Sequence, residues 1–276
     1  MKKASGFFLL LVTFLIFSVQ FPAVGSAQDY EPSVGQQGKD VIWVPTPDVL
    51  IEAMLDAAKL TQEDYLIDLG SGDGRIVIAA ARRGARALGI EYNPEMVKLS
   101  RRNAEKEFVA DRASFVEGDI FESDFSQASV ITMYLLPNLN LKLRPTLLDL
   151  KPGTRIVSHA FTMAEWEADE TIHKEGRTAY LWIVPAKIDG VWEWREGSEL
   201  VTLRLVQNFQ KIEGDLTIKG NTYPILNPTL EGDQIKFDWG KQSYSGQVRF
   251  DGIQGKVQSI NREIVWHAAR ALQAEK

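Results

Sequence analysis

The sequence predicts an α/β domain followed by a small antiparallel β domain. The first has a mostly parallel sheet with helices on both faces and an antiparallel hairpin at its end. Three observations carry this expectation. From Val41 to Ala186, strand-like and helix-like segments alternate. A glycine-rich turn, Asp68-Leu69-Gly70-Ser71-Gly72-Asp73-Gly74, stands between the first strand and the next helix. Beyond Lys187 the helical periodicity stops, and short strands separated by turn signals take over.

The elements follow in order. Thr46-Pro47 reads as a helix start, with Thr as N-cap and Pro at the first helical position, and DVLIEAMLDAAKL repeats apolar residues at helical spacing. Tyr65–Leu69 is a short buried strand, Arg75–Arg83 a helix and Ala85–Glu91 a second strand. Asn93-Pro94 caps a helix reaching Phe108. Ala113–Val116 and Ser129–Tyr134 are the third and fourth strands, Leu139–Leu150 is a helix interrupted by Pro145, and Arg155–Ala160 is the fifth strand. Thr171–Lys174 and Ala179–Val184 are separated only by Glu175-Gly176-Arg177-Thr178, which makes them a hairpin. In the tail, Glu199–Gln207, Asp215–Ile218, Gln234–Trp239 and Tyr244–Phe250 alternate with turns such as Lys219-Gly220-Asn221 and Glu231-Gly232-Asp233. They form a β-barrel or a β-sandwich. The tail tryptophans are its core or, alternatively, a binding platform.

The first residues are read apart from the fold. Lys2 and Lys3, the apolar run Phe7 to Phe17 and Gly25-Ser26-Ala27 have the three-part form of a secretory signal cut after Ala27. Uncleaved, the run would be an N-terminal membrane anchor; cleaved, it leaves no stable span. Either way the rest of the chain is expected outside the cytoplasm, periplasmic or otherwise extracytoplasmic. The organisation is then a signal at 1–27, a polar flexible lead-in at 28–40, the α/β domain at 41–186 and the β domain at 187–276.

Composition narrows the function. The chain has 276 residues, 45% of them apolar and 25% charged, and no Cys. That excludes disulfides, thiolate metal sites and a cysteine nucleophile. The histidines at 159, 173 and 267 share no ligand spacing, so no metal site is expected. Residues 28–186 hold 17 basic and 25 acidic groups, whereas 187–276 hold 12 of each. A broad electrostatic grip on nucleic acid is therefore not expected.

The glycine loop is the most informative segment. Glycines there permit positive φ and let a ligand approach the backbone, and the helix N-terminus that follows favours an anionic group. A dinucleotide loop reads G-x-G-x-x-G and holds a pyrophosphate. Here the spacing is G-x-G-x-G, and Asp68 stands two residues before Gly70. A carboxylate aimed into the loop repels phosphate and suits an ammonium, which conflicts with a nicotinamide-dependent dehydrogenase. An amino-acid end fits both features. Glu91 ends the second strand, where an acid accepts from both ribose hydroxyls. Asp119 follows the third strand, with Ile120 beside it, where a carboxylate accepts from an exocyclic adenine amine. Amino acid, ribose and adenine together describe S-adenosyl-L-methionine.

On these residues the sequence resembles the class I S-adenosylmethionine-dependent methyltransferases, whose fold is a Rossmann-like seven-strand sheet closed by a hairpin. Val44-Pro45-Thr46-Pro47 followed by DLGSGDGRIVIAAA is similar to a protein-lysine methyltransferase branch. That branch includes the mitochondrial enzymes acting on the ATP synthase c subunit and the adenine nucleotide carrier. The resemblance implies Asp68, Gly70, Gly72, Gly74, Glu91, Asp119 and Ile120 as cofactor-binding residues, and a protein partner with an accessible lysine. It also implies Trp43 and Thr46 near the cofactor; Trp43 is otherwise a docking anchor. The segment after the fourth strand departs from the amine-methylating pattern. It reads Met133-Tyr134-Leu135-Leu136-Pro137-Asn138, with one proline and no acid. Tyr134 and Asn138 are the catalytic candidates there; their alternatives are a core aromatic and a helix N-cap. Asp73 and Arg75 serve the helix end or touch the ligand. The rival reading is an exported binding or envelope protein that keeps the fold as a scaffold with little or no catalysis.

Overall fold

The computed structural model describes residues 30–260 and 262–271. The signal-peptide expectation falls on residues outside these.

The first sheet has seven strands: β1 (Tyr65–Leu69), β2 (Arg86–Glu91), β3 (Ala113–Glu117), β4 (Val130–Met133), β5 (Arg155–His159), β6 (Glu170–Lys174) and β7 (Arg177–Ile183). Their spatial order is β3-β2-β1-β4-β5-β7-β6. Strands β1 to β5 run parallel, and β7 enters antiparallel between β5 and β6. This is the seven-strand sheet with a terminal hairpin that the sequence predicts. The order reverses between β1 and β4, the place where an open α/β sheet offers a ligand crevice.

Side chains alternate across this sheet. Leu66, Ala87, Val130 and Val157 pack on one face against α1 (Asp48–Ala57), α2 (Arg75–Arg82) and α3 (Pro94–Lys106). Ile67, Leu69, Ile131, Met133 and Ile156 pack on the other, against α4 (Pro137–Leu148), Met163 and Trp166. Among the described residues α4 is the single helix on that face. Two local expectations need correction. Thr46 does not cap α1; Pro47 holds the cap position and no side chain bonds to the helix end. Pro145 does not interrupt α4. Pro145 and Leu141 are both exposed, so the carbonyl that the proline cannot serve is open to solvent.

The lead-in also differs from the expected flexible segment. Residues 35–43 form a small hairpin, with a bridge from Gln37 to Ile42 and backbone bonds from Gly35 N to Trp43 O and from Trp43 N to Gln36 O. We call it the strap.

The tail is one nine-stranded antiparallel sheet: β8 (Gly190–Glu196), β9 (Glu199–Asn208), β10 (Lys211–Ile218), β11 (Asn221–Pro224), β12 (Leu226–Glu231), β13 (Gln234–Trp239), β14 (Gln242–Arg249), β15 (Gly252–Ser259) and β16 (Arg262–Arg270), in the order β11-β10-β9-β8-β16-β15-β14-β13-β12. β16 pairs with β8, and Ile225 N reaches Gly214 O across the remaining gap, so the sheet is a near-closed barrel. Phe237 and Tyr244 stack with centroids 4.7 Å apart, and Trp194 meets Trp266 at 5.1 Å. The tail tryptophans in this cluster are core, which a small barrel needs to fill its interior. Among the described residues, no helix is long and apolar enough to cross a membrane.

Candidate functional site

A cavity of about 540 Å³ opens at the carboxyl ends of the parallel strands, a size suited to a small-molecule cofactor. Its floor is the glycine loop. Gly70 and Gly72 line it with φ of 79° and 54°, a region that favours glycine. A Cβ on Gly72 would lie 2.7 Å from the Trp43 indole nitrogen, so the strap's tryptophan closes on that residue only because it is glycine. Gly74 differs from the expectation. It is not among the cavity-lining residues; it holds the N-cap of α2, and a Cβ there would meet Phe115 and Ser100 at 2.7 Å. Its glycine serves the packing of α2 against β3 and α3.

Three carboxylates stand around this floor. Asp68 is buried and accepts from Thr132 Oγ1 at 2.7 Å. Burial pushes its carboxyl up to about 7; the Thr132 bond opposes this, and the Glu91 and Asp73 charges add to it. An ammonium beside it would relieve that cost. Glu91 is held in place by backbone N–H groups, from Gly72 at 2.9 Å to one oxygen and from Asn93 at 2.9 Å to the other. Asp119 accepts from Phe121 N at 3.0 Å and pairs with Lys39 of the strap. The Lys39 bond, then the Phe121 N–H, hold its carboxyl below the usual range. Ile120 lines the cavity beside it. Asp73 and Arg75 pair with each other, and Arg75 Nη1 donates to Thr46 O at 3.1 Å, tying the loop to the segment after the strap.

The residues present fit S-adenosylmethionine. Asp68 faces the cavity carrying the cost of burial with only the Thr132 hydroxyl to offset it, and an ammonium at that point answers it. The Ser71 hydroxyl is turned away from the cavity, against the Gly89 backbone.

The other end of the cavity is aromatic. Tyr134 lies against His159 with ring centroids 3.8 Å apart and against Phe161 at 6.3 Å. His159 is buried at the end of β5, and its Nδ1 shares a hydrogen bond of 3.0 Å with Thr46 Oγ1. Burial, with the Arg177 charge, pushes the imidazole down to about 4, so it is neutral near pH 7. Thr46 lines the cavity, and its hydroxyl holds His159 behind the lining. Asn138 is exposed on the first turn of α4, away from the cavity lining, and Leu136 holds the cap position. The buried amide nearby is Asn140, whose Nδ2 reaches Ser158 Oγ, Phe161 O and Thr162 O at 3.2–3.3 Å.

Sequence reasoning missed Ser71, His159, Phe161 and Lys39 as neighbours of the site. His159 and Phe161 end or follow a parallel strand, the position that the crevice rule marks. Lys39 carries no such signal, since only the strap's turn brings it to Asp119.

Fold and site define a class I S-adenosylmethionine-dependent methyltransferase. The chain belongs to the methyltransferase family that includes the lysine N-methyltransferases of the ATP synthase c subunit and their protein-lysine relatives. The ANTKMT methyltransferase domain matches residues 68–170. A protein-lysine N-methyltransferase of Saccharolobus islandicus is 45% identical over 151 residues, covering 52% of this chain and 94% of the relative. The Xenopus laevis lysine N-methyltransferase of the ATP synthase c subunit is 30% identical over 192 residues, covering 68% of this chain and 73% of the relative. Its Homo sapiens counterpart is 40% identical over 105 residues, and the match spans 38% of this chain and 45% of that protein. A crystal structure described as an RNA methyltransferase from Salinibacter ruber with S-adenosyl-L-homocysteine is 52% identical. It covers 52% of this chain and 96% of its own, with a TM-score of 0.52.

Proposed function

We propose that the chain methylates a lysine amine of a protein. The observation that carries this reading is the aromatic end of the cavity, lined by Tyr134 and Phe161, with His159 neutral behind Tyr134. An ammonium entering such a pocket is favoured against ring faces and loses its proton more readily as it loses water. Bound S-adenosylmethionine would supply a methyl on a sulfonium: the amine's lone pair would bond the methyl carbon as the carbon–sulfur bond breaks, and the sulfur would leave as the neutral thioether. The chain's own part is positioning. Asp68 would take the ammonium of the cofactor, Glu91 its ribose hydroxyls and Asp119 its adenine amine. Trp43 and the strap exclude water above. Tyr134 and Phe161 align the acceptor.

The relatives named for lysine support this acceptor, whereas the Salinibacter ruber protein is described as acting on RNA. The excess of acidic groups in residues 28–186 argues against a phosphate-rich partner. The Asp68, Glu91 and Asp119 constellation around the cavity gives no support to a scaffold without catalysis. Labelled methyl from S-adenosylmethionine, offered to protein and RNA fractions, decides between the acceptors. Methyl-lysine in acid hydrolysates is the expected result, and label in RNA alone would overturn the reading. The basic start, apolar run and Gly25-Ser26-Ala27 support export, with N-terminal sequencing of the mature protein expected to begin at Gln28. A mature chain still starting at Met1 and recovered from the cytosol would remove that part.

A further inference from the structure

One residue of the β domain packs, half-buried, against the core of the α/β domain. β9 and β10 are joined by the two-residue turn Phe209-Gln210, with Asn208 paired to Lys211. Phe209 has φ 56°, a conformation that hairpin turns ordinarily give to Gly, Asn or Asp. Its ring belongs to the cluster of Trp166, Met163 and α4, not to the barrel's own core. It stacks on Trp166 at 6.0 Å and 14°, with the Arg144 guanidinium 5.7 Å from its centroid. The next two residues hold the same segment. Gln210 Nε2 donates to Glu167 O at 2.8 Å and Asp169 Oδ1 at 3.2 Å, and Lys211 pairs with Glu167 at 2.6 Å.

That segment, residues 160–169, links β5 to β6 and forms one wall of the aromatic end. Phe161 lines the cavity at its start. Met163 and Trp166 are bridged, and both are fully buried. The indole N–H of Trp166 meets no acceptor among the described residues, so Trp166 contributes its ring. From below, Asn140 and Arg144 of α4 bind the carbonyls of Phe161, Thr162 and Met163. This is the face that α4 alone covers with helix. The opposite face has three helices and needs no such help. The hairpin tip therefore takes the place of a missing covering element, directly behind the wall that bears Phe161.

We propose that Phe209 is a positioning residue for methyl transfer. By stacking on Trp166 it fixes residues 160–169, so that Phe161 keeps its place beside Tyr134. The inference rests on the reading that this end of the cavity receives the acceptor. It assigns the β domain a role as the outer brace of the acceptor wall, with no role in cofactor binding.

The test compares full-length Phe209→Ala, Phe209→Leu and Phe209→Tyr with the parent chain. Hydrogen–deuterium exchange of peptides covering 160–169 should speed up about tenfold in Phe209→Ala and Phe209→Leu, while peptides covering 68–75 keep their rates. S-adenosylmethionine affinity by calorimetry should stay within about twofold, and kcat toward poly-L-lysine should fall about tenfold. Phe209→Tyr, which keeps the stack, should restore both exchange and kcat. Phe209→Leu keeps apolar bulk and so answers for the case in which the alanine variant does not fold. Unchanged exchange across 160–169 would overturn the proposal. So would a parallel loss of cofactor affinity and kcat, which marks general destabilisation. A parent chain inactive on poly-L-lysine counts against the lysine reading alone, and the exchange measurement still decides the role of Phe209.

Discussion

The two ends of the cavity are built on different principles. The cofactor end uses backbone and carboxylates from three consecutive strand ends: the loop after β1, Glu91 at the end of β2 and Asp119 after β3. Each part is short-range in sequence, and backbone N–H groups hold Glu91 where it is needed. The acceptor end uses side-chain faces drawn together from far apart. Thr46 meets His159 across 113 residues, and Phe209 reaches Trp166 from another domain. The first end is a polar cradle that recognises one molecule. The second is a packed aromatic wall whose precision depends on elements that never touch the ligand. Substitutions should therefore divide into those that change cofactor affinity and those that change turnover alone.

The largest effect is expected at Asp68. Asp68→Asn removes the partner of a buried ammonium, a loss of about 2–4 kcal/mol and hence roughly 30- to 1000-fold in S-adenosylmethionine affinity by calorimetry. The same change removes a carboxylate whose proton affinity is raised by folding. A group raised from 3.8 to about 7 contributes stability below its unfolded value, and that contribution is lost as pH rises through 7. At pH 8 without cofactor, Asp68→Asn should therefore raise the unfolding midpoint, by about 5 °C. Weaker binding with a lower midpoint would place Asp68 among structural residues and break the contrast between the two ends.

The pH dependence follows from the same group. The cofactor's ammonium needs the ionised carboxylate, so binding weakens as pH falls below about 7. Between pH 7.5 and 5.5 the affinity should drop about 20-fold, and this dependence should vanish in Asp68→Asn. His159 does not titrate in this range, since its low value keeps it neutral down to about 4. A pH profile of affinity that persists in Asp68→Asn would assign the titration elsewhere.

The same contrast decides which features are legible in the amino-acid sequence. The Asp68–Gly74 loop, Glu91 and Asp119 are legible because strand-end position and local spacing determine them. The seven-strand sheet is legible for the same reason, its strands being near-continuous apolar runs such as Leu66–Leu69. Gly74 groups with the ligand residues by spacing, because spacing alone does not separate a glycine that meets a cofactor from one that meets Phe115. Thr46 looks like a cap because Thr-Pro is a common helix start, yet its hydroxyl serves His159. In the tail, β15 leaves little trace, because its buried positions are only Ile253 and Val257 among glycines and polar residues. Of the acceptor wall only Tyr134, just past the fourth strand, is legible; the packing of His159, Phe161 and Phe209 depends on contacts between segments that no local pattern joins.

A smaller effect, about tenfold, is expected at the Thr46–His159 pair. Thr46→Val keeps shape and removes the bond to Nδ1, leaving a buried imidazole nitrogen without its partner. His159→Phe keeps a ring against Tyr134 and removes the same bond from the other side. Both should lower kcat about tenfold with cofactor affinity within twofold, and the double variant should be no worse than either single one. Additive losses would mean that the two residues act separately. A fall in affinity with Thr46→Val would move Thr46 to the cofactor end.

The smallest effect concerns the strap. Lys39 bonds Asp119 and lies 4.7 Å from the Tyr92 ring, so it occupies the carboxylate intended for the adenine amine. The pair is partly exposed, and exposed pairs contribute little. Lys39→Ala should then tighten cofactor binding, by no more than about threefold, because Asp119 no longer exchanges one partner for another. The gain should shrink at high salt, where the competing pair is already screened. Asp119→Asn in the same background should cancel it. If Lys39→Ala instead weakens binding, the strap is part of the cofactor cradle itself, and Lys39 closes over bound adenine while keeping its hold on Asp119. That outcome would extend the cofactor end beyond the strand ends, into a segment whose polar sequence reads as a linker.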